Sequence, residues 1–193
     1  MSRIPNVVVF AGSAREDSFN KKLARLAAAM ARDAGANASF LDLRDHPMPL
    51  MDEDLEARHG EPAGATSFKN ALKACDAFII ATPEHNGTFP ALLKNALDWA
   101  SRRRAGEARM ACFAGKTAAI LSASPGQLGG LRAANSLRPQ LSHLGTIVIP
   151  DQYAVAAAHE AFDADGSLKD PAKADAVRGV VKKLVETTTR LIG

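Results

Sequence analysis

Val7-Val8-Val9-Phe10-Ala11-Gly12-Ser13-Ala14-Arg15-Glu16-Asp17-Ser18-Phe19-Asn20 is the stretch whose reading decides the fold. Its first five residues form an unbroken apolar run, the pattern of a strand buried on both faces of a parallel sheet. The remainder is polar and hydroxyl-rich and passes directly into Leu23, Ala27, Met30 and Ala34, which recur at helical spacing before Gly35 supplies a stop. A buried strand that leaves through a polar turn into a helix is the opening half of a βαβ unit.

The alternation continues outward from there. Ser39–Leu43 reads as a second strand, and the Pro-, Gly- and charge-rich span from Asp45 to about Gly64 reads as a long loop. A short helix through Phe68, Ala71 and Leu72 leads to a third strand at Ala77–Ala81. Pro90 suits the first turn of a third helix, whose inner face is Leu93, Ala96, Leu97 and Ala100. Thr117–Ser122 makes a fourth strand, followed by a helix through Leu131, Ala134, Leu137 and Leu141. Thr146–Ile149 makes a fifth strand ended by Pro150, and after a loop containing Asp163-Ala164-Asp165-Gly166 a last helix carries Val177, Val181, Leu184 and Leu191. Five strands alternating with helices predict an α/β fold with a parallel sheet and right-handed crossovers. The expectation is one domain over residues 1–193, a flavodoxin-like three-layer sandwich with strand order 2-1-3-4-5 and helices on both faces.

Composition agrees. A chain of 193 residues buries one substantial core without help from metals or disulfides. Cys75 and Cys112 stand apart, in no CxxC or metal-ligand spacing, as two reduced thiols in or near the core would. The apolar run after Arg3 is too short for a secretory core, and no stretch reaches the roughly 18 apolar residues of a membrane span. A cytoplasmic protein is expected, with neither a membrane nor a nucleic acid as partner. The net charge of +3 is small, and it suits a protein that attracts phosphorylated cofactors.

The first loop has the chemistry of a phosphate cradle. A dianion needs several short donors, and a helix N-terminus supplies free backbone N–H groups and a favourable dipole. Ser13 and Ser18 add hydroxyls, Asn20 an amide hydrogen and Arg15 a charge-assisted contact, while Gly12 lets backbone approach closely. The plainer alternative is a surface turn in which Ser18 serves only as an N-cap. Neither G-x-x-x-x-G-K-[ST] nor G-x-G-x-x-G occurs after the first strand, so the nucleotide-triphosphatase and usual dinucleotide fingerprints are missing.

A second loop of the same kind, Thr82-Pro83-Glu84-His85-Asn86-Gly87, follows the third strand. Pro83 stiffens the exit, and the next residues present successive backbone donors to the polar edge of a flat heteroaromatic ring. Alternatively His85 is a polar loop residue without a ligand, and Asn86-Gly87 is an ordinary turn. The glycine-rich passage Ser122–Gly130, including Ser124 and Gly126, follows the fourth strand and could support the ring from next door. In a sheet of flavodoxin type the loops after strands one and three flank the topological switch point, where ligands sit. A phosphate cradle beside a ring site points to FMN.

The pattern G-S-x-R-x-x-S-x-N after the first strand, with P-E-x-N-G-x-x-P-x-x-L-K-N-A-x-D-W across Pro83–Trp99, resembles the NADPH-dependent FMN reductase family. That family includes quinone, chromate and azo-dye reductases. The likeness extends to Pro49–Glu56 and to Phe162–Gly166, and so covers nearly the whole chain. It implies FMN held at the phosphate by Ser13, Arg15, Ser18, Phe19 and Asn20, with Pro83, Glu84, His85, Asn86 and Gly87 beside the ring and Ser124 and Gly126 from the third loop. Family members usually carry Tyr where His85 stands, and often Gly where Ala91 stands.

The resemblance further implies a ping-pong reaction. Hydride from NADPH or NADH passes to flavin N5, and a small acceptor (quinone, chromate, azo dye or free flavin) then takes the electrons, with no obligatory side-chain acid or base. It also implies a homodimer or homotetramer. Arg102-Arg103-Arg104 read either as a cationic helix end meeting the dipole or as a clamp for the 2′-phosphate of NADPH. An electron carrier of flavodoxin type and a flavin-responsive interaction protein without turnover are the other readings.

Overall fold

The computed structural model describes residues 3–193 and contains five parallel strands in the order β2-β1-β3-β4-β5. The first two residues of the expected 1–193 unit lie outside the described residues. β1 (Asn6–Ala11) lies between β2 (Asn37–Leu41) and β3 (Ala77–Thr82), and β4 (Thr117–Ala123) and β5 (Ile147–Val155) extend the sheet beyond β3.

Alternation along each strand feeds two cores. On β1, Val7, Val9 and Ala11 face α1 (Phe19–Asp33) and α7 (Pro171–Ile192), packing with Leu23, Ala27, Val181 and Leu184. Val8 and Phe10 face the other layer, where Phe68 of α3 (Ala63–Ala74), Leu93 and Leu97 of α4 (Ala91–Ser101) and Leu137 of α5 (Leu131–His143) meet them. Phe10 and Phe68 pack edge to face with ring centroids 5.4 Å apart. Every residue of β3 and β4 is buried, which is why these strands read as continuous apolar runs. The flavodoxin-like sandwich and its strand order are as expected.

The departures are local. β2 begins and ends two residues earlier than expected, because Asp42 turns the chain into a single 3₁₀ turn, Leu43–Asp45, by accepting from the Arg44 backbone N–H at 3.0 Å. The supposed loop between Asp45 and Gly64 contains α2 (Glu53–His59), capped by Asp52, which accepts from Asp54 N at 2.8 Å. No residue of α2 is buried, so no apolar period announces it. β5 does not stop at Pro150. Its pairing slips so that Ala118 faces Val148 while Ile120 faces Gln152, and Pro150 sits in the resulting bulge, where its missing N–H costs no ladder bond. Arg138 holds that bulge by donating to the carbonyls of Ile149 at 2.7 Å and Pro150 at 3.2 Å.

Leu131 and Leu191, expected in the core, are exposed at the first turn of α5 and the last turn of α7. The short helix α6 (Ala158–Ala161) precedes the last loop. Among the described residues no helix is long and apolar enough to cross a membrane.

Candidate functional site

The carboxyl ends of β1, β3 and β4 open into a cleft of about 600 Å³. Three loops wall it, and they bring together Ser13, Arg15, Ser18, Phe19 and Asn20 from the first, Pro83, Glu84 and His85 from the second, and Ser124 from the third. Three other expected residues do not line it: Asn86, Gly87 and Gly126 lie outside its wall. Leu92 and Pro125 do line it. Neither bears a polar group that a search for ligand chemistry would single out.

Ser18 ends the first loop as the N-cap of α1, with extended φ/ψ of −73° and 126°, and its hydroxyl accepts from Lys21 N at the long distance of 3.4 Å. Ahead of Lys21, the Phe19 and Asn20 backbone N–H groups have no carbonyl four residues back to receive them and remain for an anion. Arg15 is exposed at the rim; its guanidinium donates to the Asp17 carbonyl at 2.6 Å and lies 5.6 Å from the centroid of the Phe19 ring. That ring stacks on Phe162 at 6.3 Å with 4° between planes. Gly12 lines the cleft and also packs closely on α4: a Cβ there would stand 3.0 Å from Leu93 Cδ2 and 3.1 Å from Leu93 Cβ.

Asn20 is engaged differently from its expected part. Its amide Nδ2 donates to the Ala123 carbonyl at 2.8 Å while its Oδ1 accepts from the Ala123 N–H at 2.9 Å, and the side chain is buried. The residue clamps the N-terminal end of α1 to the end of β4, joining the first loop to the third. Beneath the same loop lies Lys21, also buried, with Nζ 2.8 Å from Asp42 Oδ2 and 3.4 Å from the Ala14 carbonyl. Burial works against ionisation of Asp42, but the Lys21 hydrogen bond and the Arg44 backbone N–H outweigh it and hold the carboxyl below its ordinary range.

At the other end of the cleft, His85 and Thr88 exchange backbone hydrogen bonds of 2.9 and 3.2 Å across Asn86 (φ 52°) and Gly87 (φ 83°). Two successive left-handed residues make this a tight primed turn, which leaves Asn86 and Gly87 at its tip. Glu84 is ion-paired with Arg132 of α5, whose Nε lies 2.6 Å from Oε1, while Oε2 is buried with no partner. Arg132 escapes a sequence reading because 48 residues separate it from Glu84 and nothing local marks the pairing.

Arg102, Arg103 and Arg104 do not reach the cleft. Arg102 pairs with Glu53 at 3.0 Å and with Glu56, and Arg104 pairs with Glu61 at 2.6 Å. Arg103 donates to the Glu107 carbonyl at 2.8 Å. The group is a cross-link between α2, α3 and the segment after α4, and the clamp reading has no support in this geometry.

The cleft fits FMN on the chemistry of its walls. One end offers hydroxyls, free N–H groups and a guanidinium, with no carboxylate among the residues that line it there. The rest of the wall is largely apolar, with Pro83, Pro90, Leu92 and Pro125, and its single carboxylate is already paired. A phosphate dianion and a planar ring ask for these two environments in one crevice.

Comparison with known proteins points the same way. The family model described as NADPH-dependent FMN reductase matches residues 5–160. A quinone reductase of Pseudomonas putida is 35% identical over 172 residues, 88% of this chain and 88% of that protein. An NAD(P)H-dependent FMN reductase of Pseudomonas aeruginosa is 34% identical over 194 residues, the full length of both. Among solved structures, the flavoenzyme FerB, an NAD(P)H:(acceptor) oxidoreductase from Paracoccus denitrificans, superimposes with a TM-score of 0.82 at 31% identity, covering 97% of this chain and 98% of that one. With sequence, fold and cleft in agreement, this chain belongs to the NADPH-dependent FMN reductase family.

Proposed function

We propose that the chain, acting as one unit over residues 1–193, is an FMN-dependent NAD(P)H oxidoreductase that passes electrons to a small diffusible acceptor, a quinone foremost. The observation that carries this is the single cleft in which the turns after β1, β3 and β4 set phosphate-type donors beside an apolar wall of Pro83, Pro90, Leu92 and Pro125. FMN, when bound, supplies the hydride and electron chemistry, as cofactors of this class do.

The protein's own part is binding and orientation. Ser13, Ser18, Arg15 and the free N–H groups at the start of α1 hold the phosphate, and Phe19 supports Arg15 from below. Pro83, His85 and Ser124 border the ring, with the Asn86-Gly87 turn and the Gly126 backbone keeping the second and third loops in shape. Asn20 keeps the two sides of the cleft together. Glu84 is neutralised by Arg132, and no side-chain acid or base is assigned. Donor and acceptor take turns at the one cleft, which is a ping-pong sequence. Quinone, chromate, azo dye and free flavin are acceptors of the kind such an open crevice admits.

A homodimer or homotetramer belongs to the same reading, supported by the exposed apolar side chains Leu92, Leu128 and Leu131. A reducing, cytoplasmic setting is supported by two buried free thiols. The test is an anaerobic absorbance spectrum of the purified protein before and after NADPH, with NADH in a parallel cuvette and a quinone added last. Flavin absorbance that bleaches with the nucleotide and returns with the quinone is the expected result. Bound flavin that neither nucleotide bleaches would overturn the enzymatic reading in favour of a carrier or an interaction protein.

A further inference from the structure

A second cleft, of about 400 Å³, adjoins the first, and Ala14 and Leu92 line both. Leu43, Met48 and Ala96 give it an apolar wall, and Arg44 is its cation. Its other polar side chains are already engaged. Asn95 accepts from Met51 N at 2.8 Å and donates to the Pro49 carbonyl at 2.9 Å, and His46 Nδ1 lies 2.6 Å from Ser67 Oγ.

Arg44 is not engaged in this way. Its guanidinium makes no hydrogen bond among the described residues; its nearest carboxylate oxygens, on Glu16 and Asp42, both stand 3.9 Å away. Asp42 has closer partners, taking Lys21 Nζ at 2.8 Å on one oxygen and the Arg44 backbone N–H at 3.0 Å on the other. Of the two arginines that line the two clefts, Arg15 donates to the Asp17 carbonyl, whereas Arg44 makes only two long ion pairs and no side-chain hydrogen bond among the described residues. The cations Arg102 and Arg104, which the sequence offers for the same task, are held by carboxylates elsewhere.

We propose that Arg44 binds the 2′-phosphate of NADPH, with the adenosine half against the apolar wall of the second cleft and the nicotinamide end reaching over the shared rim into the first. This rests on the oxidoreductase reading above and assigns its donor specificity to one residue. A planar guanidinium fork matches a phosphate and offers nothing particular to a neutral quinone. An apolar wall of aliphatic side chains suits a purine face.

The experiment titrates flavin-loaded protein with 2′,5′-ADP and with adenosine 5′-phosphate by calorimetry, and measures the KM ratio for NADPH over NADH. Wild-type protein binds 2′,5′-ADP about tenfold or more tighter than adenosine 5′-phosphate, the scale of a charge-assisted pair. Arg44→Ala closes that gap and raises the KM ratio by a similar factor, while Arg44→Lys keeps part of both. Glu16→Arg, at a side chain 83% exposed that the fold tolerates, tightens 2′,5′-ADP instead. The proposal is overturned if the wild type binds the two nucleotides equally, or if Arg44→Ala weakens both by the same factor. Failure of the oxidoreductase reading looks different: the flavin does not bleach, whatever the two nucleotide affinities are.

Discussion

Asn20→Ala tests the clamp between α1 and β4. The side chain is 3% exposed and satisfies both the N–H and the C=O of Ala123, at 2.9 and 2.8 Å. Truncation leaves two buried backbone groups without partners, and each such group costs roughly 1–3 kcal/mol. A water drawn into the vacated space would recover part of this, so the net loss is about 2–4 kcal/mol. At a urea m-value of about 2 kcal/mol/M, the midpoint falls by roughly 1–2 M with m unchanged. The assay is equilibrium urea unfolding of flavin-free protein, followed by circular dichroism, with FMN titrated separately into the folded variant. FMN affinity falls as well, because Ala123 and Ser124 border the cleft. A flavin-free midpoint within about 0.3 M of wild type, with FMN affinity strongly reduced, would refute the reasoning: Asn20 would then act as a phosphate ligand and not as a clamp.

Three further outcomes are expected. Lys69→Met removes a buried ammonium that lies 2.8 Å from Glu61 and 2.6 Å from the Arg102 carbonyl, and it should cost about 2–4 kcal/mol in the same assay; a variant as stable as wild type would show the cluster to be ornamental. Lys73, with the Arg104 backbone N–H, holds Glu107 at about 2, and at Glu61 burial is outweighed by Arg104 and Lys69 so that its carboxyl also lies low. Both carboxyl groups are depressed in the folded state, so their contribution is complete above the ordinary value near 4.5 and is lost as pH falls from there towards 2. Urea midpoints measured from pH 7 to about 2.5 should therefore drop below pH 4.5, and Glu107→Gln should flatten the drop; a flat wild-type profile contradicts the assignment. Burial pushes the thiols of Cys75 and Cys112 up to about 11 each, so an aromatic disulfide reagent at about pH 8 should titrate neither until urea unfolds the chain. Rapid native labelling of either thiol would show that the helices over it open readily.

Where a segment is buried on both faces, its sequence carried its structure. Val7–Ala11, Ala77–Ala81 and Thr117–Ser122 lie at the centre of the sheet, where burial on both faces favours apolar residues, and all three appear within one residue of their expected ends. Exposed or strained segments were less legible. α2 buries nothing and so has no period to read, and at the β5 bulge Arg138 reaches across from α5 to donate to the carbonyls of Ile149 and Pro150.

The same division runs through the cleft. Residue types and spacing alone announced a strand, a donor-rich turn and a helix, twice over, and the sheet rules then required those turns to meet at one edge. Local sequence determines such things because a turn's hydroxyls, its glycine and its helix cap all act within a few residues of one another. Tertiary structure alone decided which partner each side chain takes. Asn20 meets Ala123 across 103 residues, Glu84 meets Arg132 across 48, and Lys69 meets Arg102 across 33. Charge and hydrogen-bond satisfaction are settled by distance in space, and the packing of helices on the sheet sets those distances.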